Sequence, residues 1–157
     1  MSDCGIHTTD GTVVNLDTLA KAPILALDIE GSGYHVGTDI PYGYSISCVP
    51  TSSYYAGIDN AFFANLIMDD SKTKIAFNAK FDRAMLKKVG IRADNWCDPM
   101  VAAHLLEAPS LSLEFLNGWF LRGKEFMTYS QLPKPLETMN MQECADFSGP
   151  HTEISIL

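Results

Sequence analysis

The sequence predicts an α/β domain in which a mixed β-sheet is flanked by α-helices. Residues 24–30 are apolar on both faces until the end of the segment, which is typical of a buried strand. Residues 42–49 and 52–56 are rich in aromatic and β-branched side chains and predict a hairpin. A helix at 60–69, a short strand at 74–77 and several helices follow, and this mixture of elements is typical of an α/β fold.

Capping and helix-breaking residues set the expected helix boundaries. Asp98 followed by Pro99 is a strong helix start, and Asn140 with Glu143 forms a capping-box pair. Gly90 is expected to end the helix before it. From residue 78 onward, the expected elements are helices at 78–89, 98–106 and 111–121, a loop at 123–137 and a last helix from residue 140 to the C-terminus.

The length of 157 residues suits a single domain with one hydrophobic core. We expect an N-terminal arm or edge strand at 1–22 and the domain itself at 23–157. The apolar fraction of 46% and the charged fraction of 19% are ordinary for a globular protein. The last helix is expected to be unfinished at residue 157, as in a domain cut from a longer chain.

Several features predict a soluble, cytoplasmic protein with no membrane partner. The longest apolar runs, such as 24–27, are too short to span a bilayer, and no signal peptide is evident. Four widely scattered cysteines contain no C-x-x-C pair. This spacing argues against a zinc site or a disulfide framework and fits a reducing compartment.

The formal net charge of −8 is unusual for a protein that binds nucleic acid, because phosphate binding ordinarily relies on a basic surface. Two considerations reduce the conflict. A site built from carboxylates is acidic until divalent metals bind, and a protein that holds only a few nucleotides needs little basic surface. Composition alone nevertheless points away from nucleic acid.

Asp28 and Glu30 are the first candidate site residues. They alternate along the predicted strand, so both side chains project from one face. Two like charges at the end of a buried strand repel each other and lose hydration, and a divalent cation would offset both costs. The alternative is that the strand end has emerged into solvent, where both residues are ordinary surface acids.

Asp82 is the second candidate. By helical spacing it shares a face with the apolar residues Met85, Leu86 and Val89, so it is expected on the buried side of its helix. The alternative is an acid in the first turn that is favoured by the helix dipole. Asn78, at the junction of strand and helix, is expected to cap that helix.

These segments resemble the DEDD 3′–5′ exonucleases, and most closely the proofreading domain of family A DNA polymerases. Residues 27–30 (LDIE) are similar to the D-x-E motif, and residues 78–82 (NAKFD) match the second motif, N-x-x-[FY]-D. Residues 98–102 (DPMVA) and 112–116 (SLEFL) are similar to later segments of the same domain. The resemblance covers residues 23–157.

The resemblance implies a ribonuclease H-like fold and hydrolysis of phosphodiester bonds with two metal ions, Mg²⁺ or Mn²⁺. By this resemblance the metal ligands are Asp28, Glu30 and Asp82, and the catalytic residues are these three with His151. The expected nucleic-acid contacts are Asn78, Phe81, Tyr34 and Phe147. The implied partners are the 3′ end of single-stranded DNA, with RNA as an alternative, and a polymerase domain or subunit.

The third motif of this branch, Y-x-x-x-D, is altered. Its best register places Phe147 where the Tyr is expected and His151 where the Asp is expected. His is a softer ligand than a carboxylate and suits zinc better than magnesium. Glu153 and Asp146 are rotated away from the His151 position on a helix. His151 is therefore either a ligand or base, or a polar residue without a catalytic role.

This alteration leaves three functions open. The first is a 3′–5′ exonuclease of weakened activity that proofreads for a family A-type polymerase. The second is an inactive module of the same fold, kept for scaffolding or for holding single strands. The third is an RNase D-like enzyme that degrades RNA, because no sequence feature here reports recognition of a 2′-hydroxyl.

Overall fold

A central mixed sheet organises the computed structural model, which describes residues 6–8, 16–121, 123 and 125–155. Within these residues, six strands form one sheet: β1 (Ile6–Thr8), β2 (Ile24–Gly31), β3 (Pro41–Val49), β4 (Ser52–Gly57), β5 (Thr73–Ile75) and β6 (Trp96–Cys97). Their order is β1-β4-β3-β2-β5-β6. Strand β2 pairs antiparallel with β3 and parallel with β5. The predicted mixed sheet is therefore confirmed.

Helices lie on both faces of the sheet. In the described residues they are α1 (Leu16–Lys21), α2 (Ala61–Met68), α3 (Ala79–Lys88), α4 (Pro99–Leu105), α5 (Leu113–Phe120) and α6 (Met141–Ser155), with 3₁₀ turns at Tyr129–Gln131 and Leu136–Thr138. Helices α1, α2 and α3 contribute Leu19, Phe63 and Leu86 to the main core. Helix α6 packs across β1, β2, β3 and β4. The predicted architecture of a sheet with flanking helices is confirmed.

The alternation of β2 determines which side chains meet which layer. Leu25, Leu27 and Ile29 belong to the main core. Successive side chains of a strand project to opposite faces, so Asp28 and Glu30 project to the other face, where α6 lies. Both acids are thereby placed beneath a helix at the end of a central strand.

The N-terminal segment contributes to the same sheet and core. Ile6–Thr8 pairs antiparallel with β4, as predicted for an edge strand. The short helix α1 was not predicted, and its Leu19 is fully buried in the main core. The two-residue strand β6 was also missed, because two residues are too few to show a period.

The predicted capping role of Asn78 is wrong. Asn78 occupies the N-cap position of α3, but its backbone is left-handed (φ 64°, ψ 46°) and its side chain makes no capping hydrogen bond. The carboxylate of Asp98 instead accepts hydrogen bonds from the backbone N–H groups of Asn78 and Ala79, at 3.1 and 3.0 Å. Asp98 also caps its own helix by accepting from the Met100 N–H at 2.9 Å. One carboxylate therefore ties the starts of α3 and α4 together.

The last helix begins as predicted. The Asn140 N–H donates to Glu143 at 2.7 Å and the Glu143 N–H donates to Asn140 at 3.0 Å, which completes the capping box. Helix α6 continues through Pro150. In the described part of the chain, no helix combines the length and apolar character that crossing a membrane requires.

Candidate active site

Two carboxylates of the candidate site come from β2. Asp28 keeps 32% of its side chain exposed, whereas Glu30 is fully buried. Burial of this kind rules out the alternative in which Glu30 is an ordinary surface acid. The Glu30 Oε1 atom has no hydrogen-bond partner among the described residues. A buried carboxylate oxygen without a partner is costly, so this position favours a bound cation.

The third carboxylate, Asp82, comes from the first turn of α3. It is 1% exposed and lies beside Met85 and Leu86 on the buried face of the helix, as its spacing predicts. Its Oδ1 atom accepts a hydrogen bond from the Ile29 N–H at 3.2 Å, while Oδ2 has no partner within the described residues. Asp82 therefore lies against β2 at Ile29, the residue between the two strand acids. The helix dipole alone does not explain its burial.

His151 approaches the strand acids from α6. Its Nδ1 atom lies 3.7 Å from Oδ2 of Asp28. Its Nε2 atom lies 2.9 Å from the carbonyl oxygen of Met127. Ligand atoms of Asp28, Glu30 and His151 lie within 4.8 Å of one another. The predicted site residue His151 therefore joins two of the three predicted metal ligands in one cluster.

Tyr129 is a site residue that the sequence analysis missed. Its hydroxyl donates a hydrogen bond to Oε2 of Glu30. Its ring packs edge-on against Tyr34 and Phe147, with centroids 5.5 and 4.9 Å away. Tyr129 lies in the segment predicted as a loop, and no periodic pattern there distinguishes it from its neighbours. Only the fold brings its hydroxyl to the buried acid.

Burial and mutual repulsion perturb the carboxylates. Burial, followed by the charge of Asp28, raises the pKa of Glu30 from 4.5 to about 8, although Tyr129 and His151 oppose the increase. Burial and the charge of Asp28 also raise the pKa of Asp82 well above its usual range. Burial lowers the pKa of His151, but the Asp28 and Glu30 carboxylates and the Met127 carbonyl together outweigh burial, so the net shift is upward. Negative charge is in excess in this cleft.

The residues present fit a divalent cation. The cluster offers carboxylate oxygens, and one buried carboxylate oxygen of Glu30 and one of the neighbouring Asp82 have no hydrogen-bond partner among the described residues. Hard divalent ions such as Mg²⁺ and Mn²⁺ prefer oxygen ligands of this type. A cation would offset the burial and the repulsion that together raise both pKa values. Asp28, Glu30 and His151 would hold one ion, with Asp82 adjacent to Asp28 for a second.

Most of the predicted nucleic-acid contacts border an open cleft beside these acids. The cleft has a volume of about 480 Å³, and its lining includes Asp28, Asp82, His151, Asn78, Phe81, Tyr34 and Tyr129. Phe147 is an exception, because it is 3% exposed and packs against the rings of Tyr129 and His151. It lacks the exposed surface that a nucleic-acid contact needs.

Neither neighbouring acid of α6 replaces the missing carboxylate. Glu153 is buried on the β4 side of the helix, where its Oε1 atom accepts from the Ser53 hydroxyl at 3.0 Å. Asp146 is exposed and accepts from the Gln142 side chain at 2.9 Å. Both orientations agree with the rotation expected from helical spacing, so His151 is the group that α6 presents to the strand acids.

The fold and the acidic cleft define a 3′–5′ exonuclease domain of the DEDD type. The chain belongs to the 3′-5′ exonuclease family, whose model matches residues 6–132. The family acts on nucleic acid with divalent metal ions, so the predictions of a nuclease and of a Mg²⁺ or Mn²⁺ cofactor are confirmed. Among curated proteins, none matches this chain.

Solved structures share the fold at low sequence identity. Brucella melitensis NrnC aligns with a TM-score of 0.77 and 18% identity, over 91% of this chain and 72% of its own. NrnC has also been solved with bound Mg²⁺ and bound to pGG. The catalytic core of Trypanosoma brucei RRP6 aligns with a TM-score of 0.65 and 18% identity, over 90% of this chain and 42% of its own.

A polymerase structure shares the fold as well. M. smegmatis Pol1, in complex with a DNA primer-template and dNTP, aligns with a TM-score of 0.57 and 17% identity, over 88% of this chain and 24% of its own. These likenesses confirm the ribonuclease H-like fold class.

Proposed function

We propose that this domain removes nucleotides one at a time from the 3′ end of single-stranded DNA, as a proofreading partner of a family A-type polymerase. The observation that carries the proposal is the cluster of Asp28, Glu30 and His151 beside the buried Asp82. Such a concentration of perturbed acids on an open cleft is a feature of active sites. Family membership supplies the reaction class.

The side chains have separable tasks in this proposal. Divalent ions held there would activate water and stabilise charge on the leaving oxygen. Asp28, Glu30, Asp82 and His151 supply the ligands. The Tyr129 hydroxyl donates to Oε2 of Glu30 and so holds the carboxylate, while Oε1 has no partner among the described residues and is free to bind a cation. The half-buried Phe81 and the exposed Tyr34 offer aromatic surface on which a terminal base can stack.

RNA is the second candidate substrate. The structural likeness to NrnC and to RRP6 favours the RNase D-like alternative, since NrnC has been solved bound to pGG. The acid cluster argues against the inactive-module alternative, because a retired site has no reason to keep one carboxylate oxygen of Glu30 and one of Asp82 buried without a partner.

The test is a digestion of 5′-labelled single strands of DNA and RNA, and of pGG, with Mg²⁺ or Mn²⁺. The expected product is a ladder that shortens by one nucleotide at a time from the 3′ end, with DNA degraded faster. Asp28→Asn is the blank, and Asp17→Asn is its matched control because Asp17 is an exposed helix acid. Equal degradation by wild type and Asp28→Asn would contradict the proposal. Faster RNA or pGG cleavage would reassign the substrate.

A further inference from the structure

The ring orientation of His151 fixes which nitrogen carries the proton. The Nε2 atom lies 2.9 Å from the Met127 carbonyl oxygen. A carbonyl oxygen only accepts hydrogen bonds, so Nε2 is the donor and carries a hydrogen. In the neutral ring the lone pair is then on Nδ1, the atom that faces Asp28. The main chain therefore selects the tautomer whose free nitrogen points into the acid cluster.

Without a cation this arrangement is unfavourable for a neutral ring. The Nδ1 lone pair faces the acceptor oxygen of Asp28 at 3.7 Å, which is too long for a hydrogen bond. The same separation suits two ligands of one ion. Atoms that each lie about 2.0–2.1 Å from a metal are at most about 4.2 Å apart. The His151–Asp28 pair satisfies that limit.

The surroundings of the ring are those of a supported ligand. Histidines that bind metals commonly donate their second ring N–H to a backbone carbonyl or a carboxylate, which fixes the ring and raises its basicity. Met127 supplies this carbonyl. Phe126 and Phe147 pack edge-on against the imidazole, with centroids 5.1 and 4.9 Å away, and restrict its rotation.

We propose that His151 binds the metal through Nδ1, so that this centre has a nitrogen ligand and discriminates against Mg²⁺ in favour of first-row transition ions such as Mn²⁺, Co²⁺ or Zn²⁺. Imidazole is a good ligand for Co²⁺ and Zn²⁺. Mn²⁺ also prefers oxygen, but it accepts an imidazole ligand more readily than Mg²⁺ does. This inference rests on the proposed function for its biological meaning, but it concerns ligation and is measurable without catalysis.

The rival is a protonated His151 that acts as an internal cation beside Asp28 and leaves no room for a metal. Pulsed electron paramagnetic resonance of bound Mn²⁺ separates the two, because a coordinated imidazole gives ¹⁴N couplings. We expect these couplings in the wild-type 157-residue chain and their replacement by ¹⁵N couplings when histidine is ¹⁵N-labelled. They should vanish in His151→Asp and persist in His104→Gln, since His104 is an exposed helix residue.

Competition measures the selectivity. Co²⁺ bound to the chain is followed by its visible absorption and displaced with Mg²⁺. The Mg²⁺ concentration that displaces half of the Co²⁺ should be at least about tenfold lower for His151→Asp than for wild type. Wild-type Mn²⁺ without nitrogen couplings, no Co²⁺ binding at millimolar concentration, or equal Mg²⁺ competition in both proteins would overturn the inference.

Failure of this inference is distinguishable from failure of the proposed function. Nuclease activity together with all-oxygen ligation would overturn the role of His151 alone. Nitrogen ligation in a chain that degrades no DNA, RNA or pGG would retain the metal site and overturn the exonuclease proposal.

Discussion

The two sides of the cleft differ in how closely they follow the exonuclease pattern. The side formed by β2 and α3 carries Asp28, Glu30 and Asp82 in the expected motifs. The side formed by α6 and the segment before it presents His151 to Asp28, where the pattern has an acid. Its hydroxyl group comes from Tyr129, which donates a hydrogen bond to Glu30. Two of the three acids stand on the central strand β2, whereas the groups of the other side are supplied by a helix and the segment before it.

The reason for the difference lies in how each side is held. Strand β2 has partners on both edges, so its register cannot shift without breaking two ladders. Helix α6 rests on the sheet partly through polar contacts, such as Glu153 with Ser53 and Thr152 with Ser45. Tyr129 lies in the segment before α6 and brings its hydroxyl to Glu30, whereas Phe147 of α6 has no hydroxyl to offer.

Loss of an acid from the side formed by β2 and α3 should have the largest effect on exonuclease activity. Asp28→Asn removes the carboxylate that lies beside His151. The same carboxylate raises the pKa of Glu30 and of Asp82 in the wild-type protein. We expect exonuclease activity to fall by about 10²- to 10³-fold, because a group that stabilises charge in the transition state is commonly worth that much. The measurement is the single-turnover rate on a labelled strand. A loss below tenfold would mean that the sheet side is not the catalytic side.

Restoring an acid on the α6 side should raise activity. His151→Asp supplies the oxygen ligand that Mg²⁺ prefers, so the Mg²⁺-dependent rate should rise by roughly 10–10². Adding Phe147→Tyr should contribute little beyond this, because position 147 is buried against Tyr129 and a new hydroxyl there must be desolvated. Rates of the single and double variants on the same strand test this. A large gain from Phe147→Tyr alone would show that Tyr129 does not serve the cleft.

Tyr129→Phe should weaken metal binding by about 10- to 100-fold, the usual cost of losing a group that orients a ligand. The substitution removes the hydrogen bond to Glu30 and keeps the ring contacts with Tyr34 and Phe147. Calorimetric titration with Mn²⁺ measures the affinity. Tyr34→Phe is the control, since its ring packs on Tyr129 but no described hydrogen bond joins it to Glu30. Equal affinities for both variants would exclude an orienting role.

Glu30→Gln should raise the stability of the metal-free fold, and only at alkaline pH. The folded state holds the Glu30 proton to about pH 8, whereas the unfolded chain releases it near 4.5. Stability from this group is complete below pH 4.5 and is lost as the pH rises toward 8. Without metal, the free energy of unfolding of Glu30→Gln should therefore exceed that of wild type by a few kcal/mol at most at pH 8.5. At pH 4.5 the two proteins should be equally stable. Denaturant melts in EDTA provide the comparison, and a gain at pH 4.5 would contradict it.

The sheet side was predictable because its signals are local. Strand alternation placed Asp28 and Glu30 on one face, and helical spacing placed Asp82 on the buried face of α3. Tyr129 was not predictable, because its contact with Glu30 joins residues 99 positions apart through an aperiodic segment. The role of His151 likewise depends on a carbonyl 24 positions away, and helical spacing carries no information about it.

The claim that both sides complete one metal centre is tested most directly by anomalous diffraction from a crystal soaked in Mn²⁺. The account predicts a manganese peak within bonding distance of Asp28, Glu30 and Nδ1 of His151, with Nε2 still donating to the Met127 carbonyl. A peak bound by the carboxylates alone, with the imidazole turned away, would contradict it. A crystal soaked in saturating Mn²⁺ that shows no manganese peak between β2 and α6 would also contradict it.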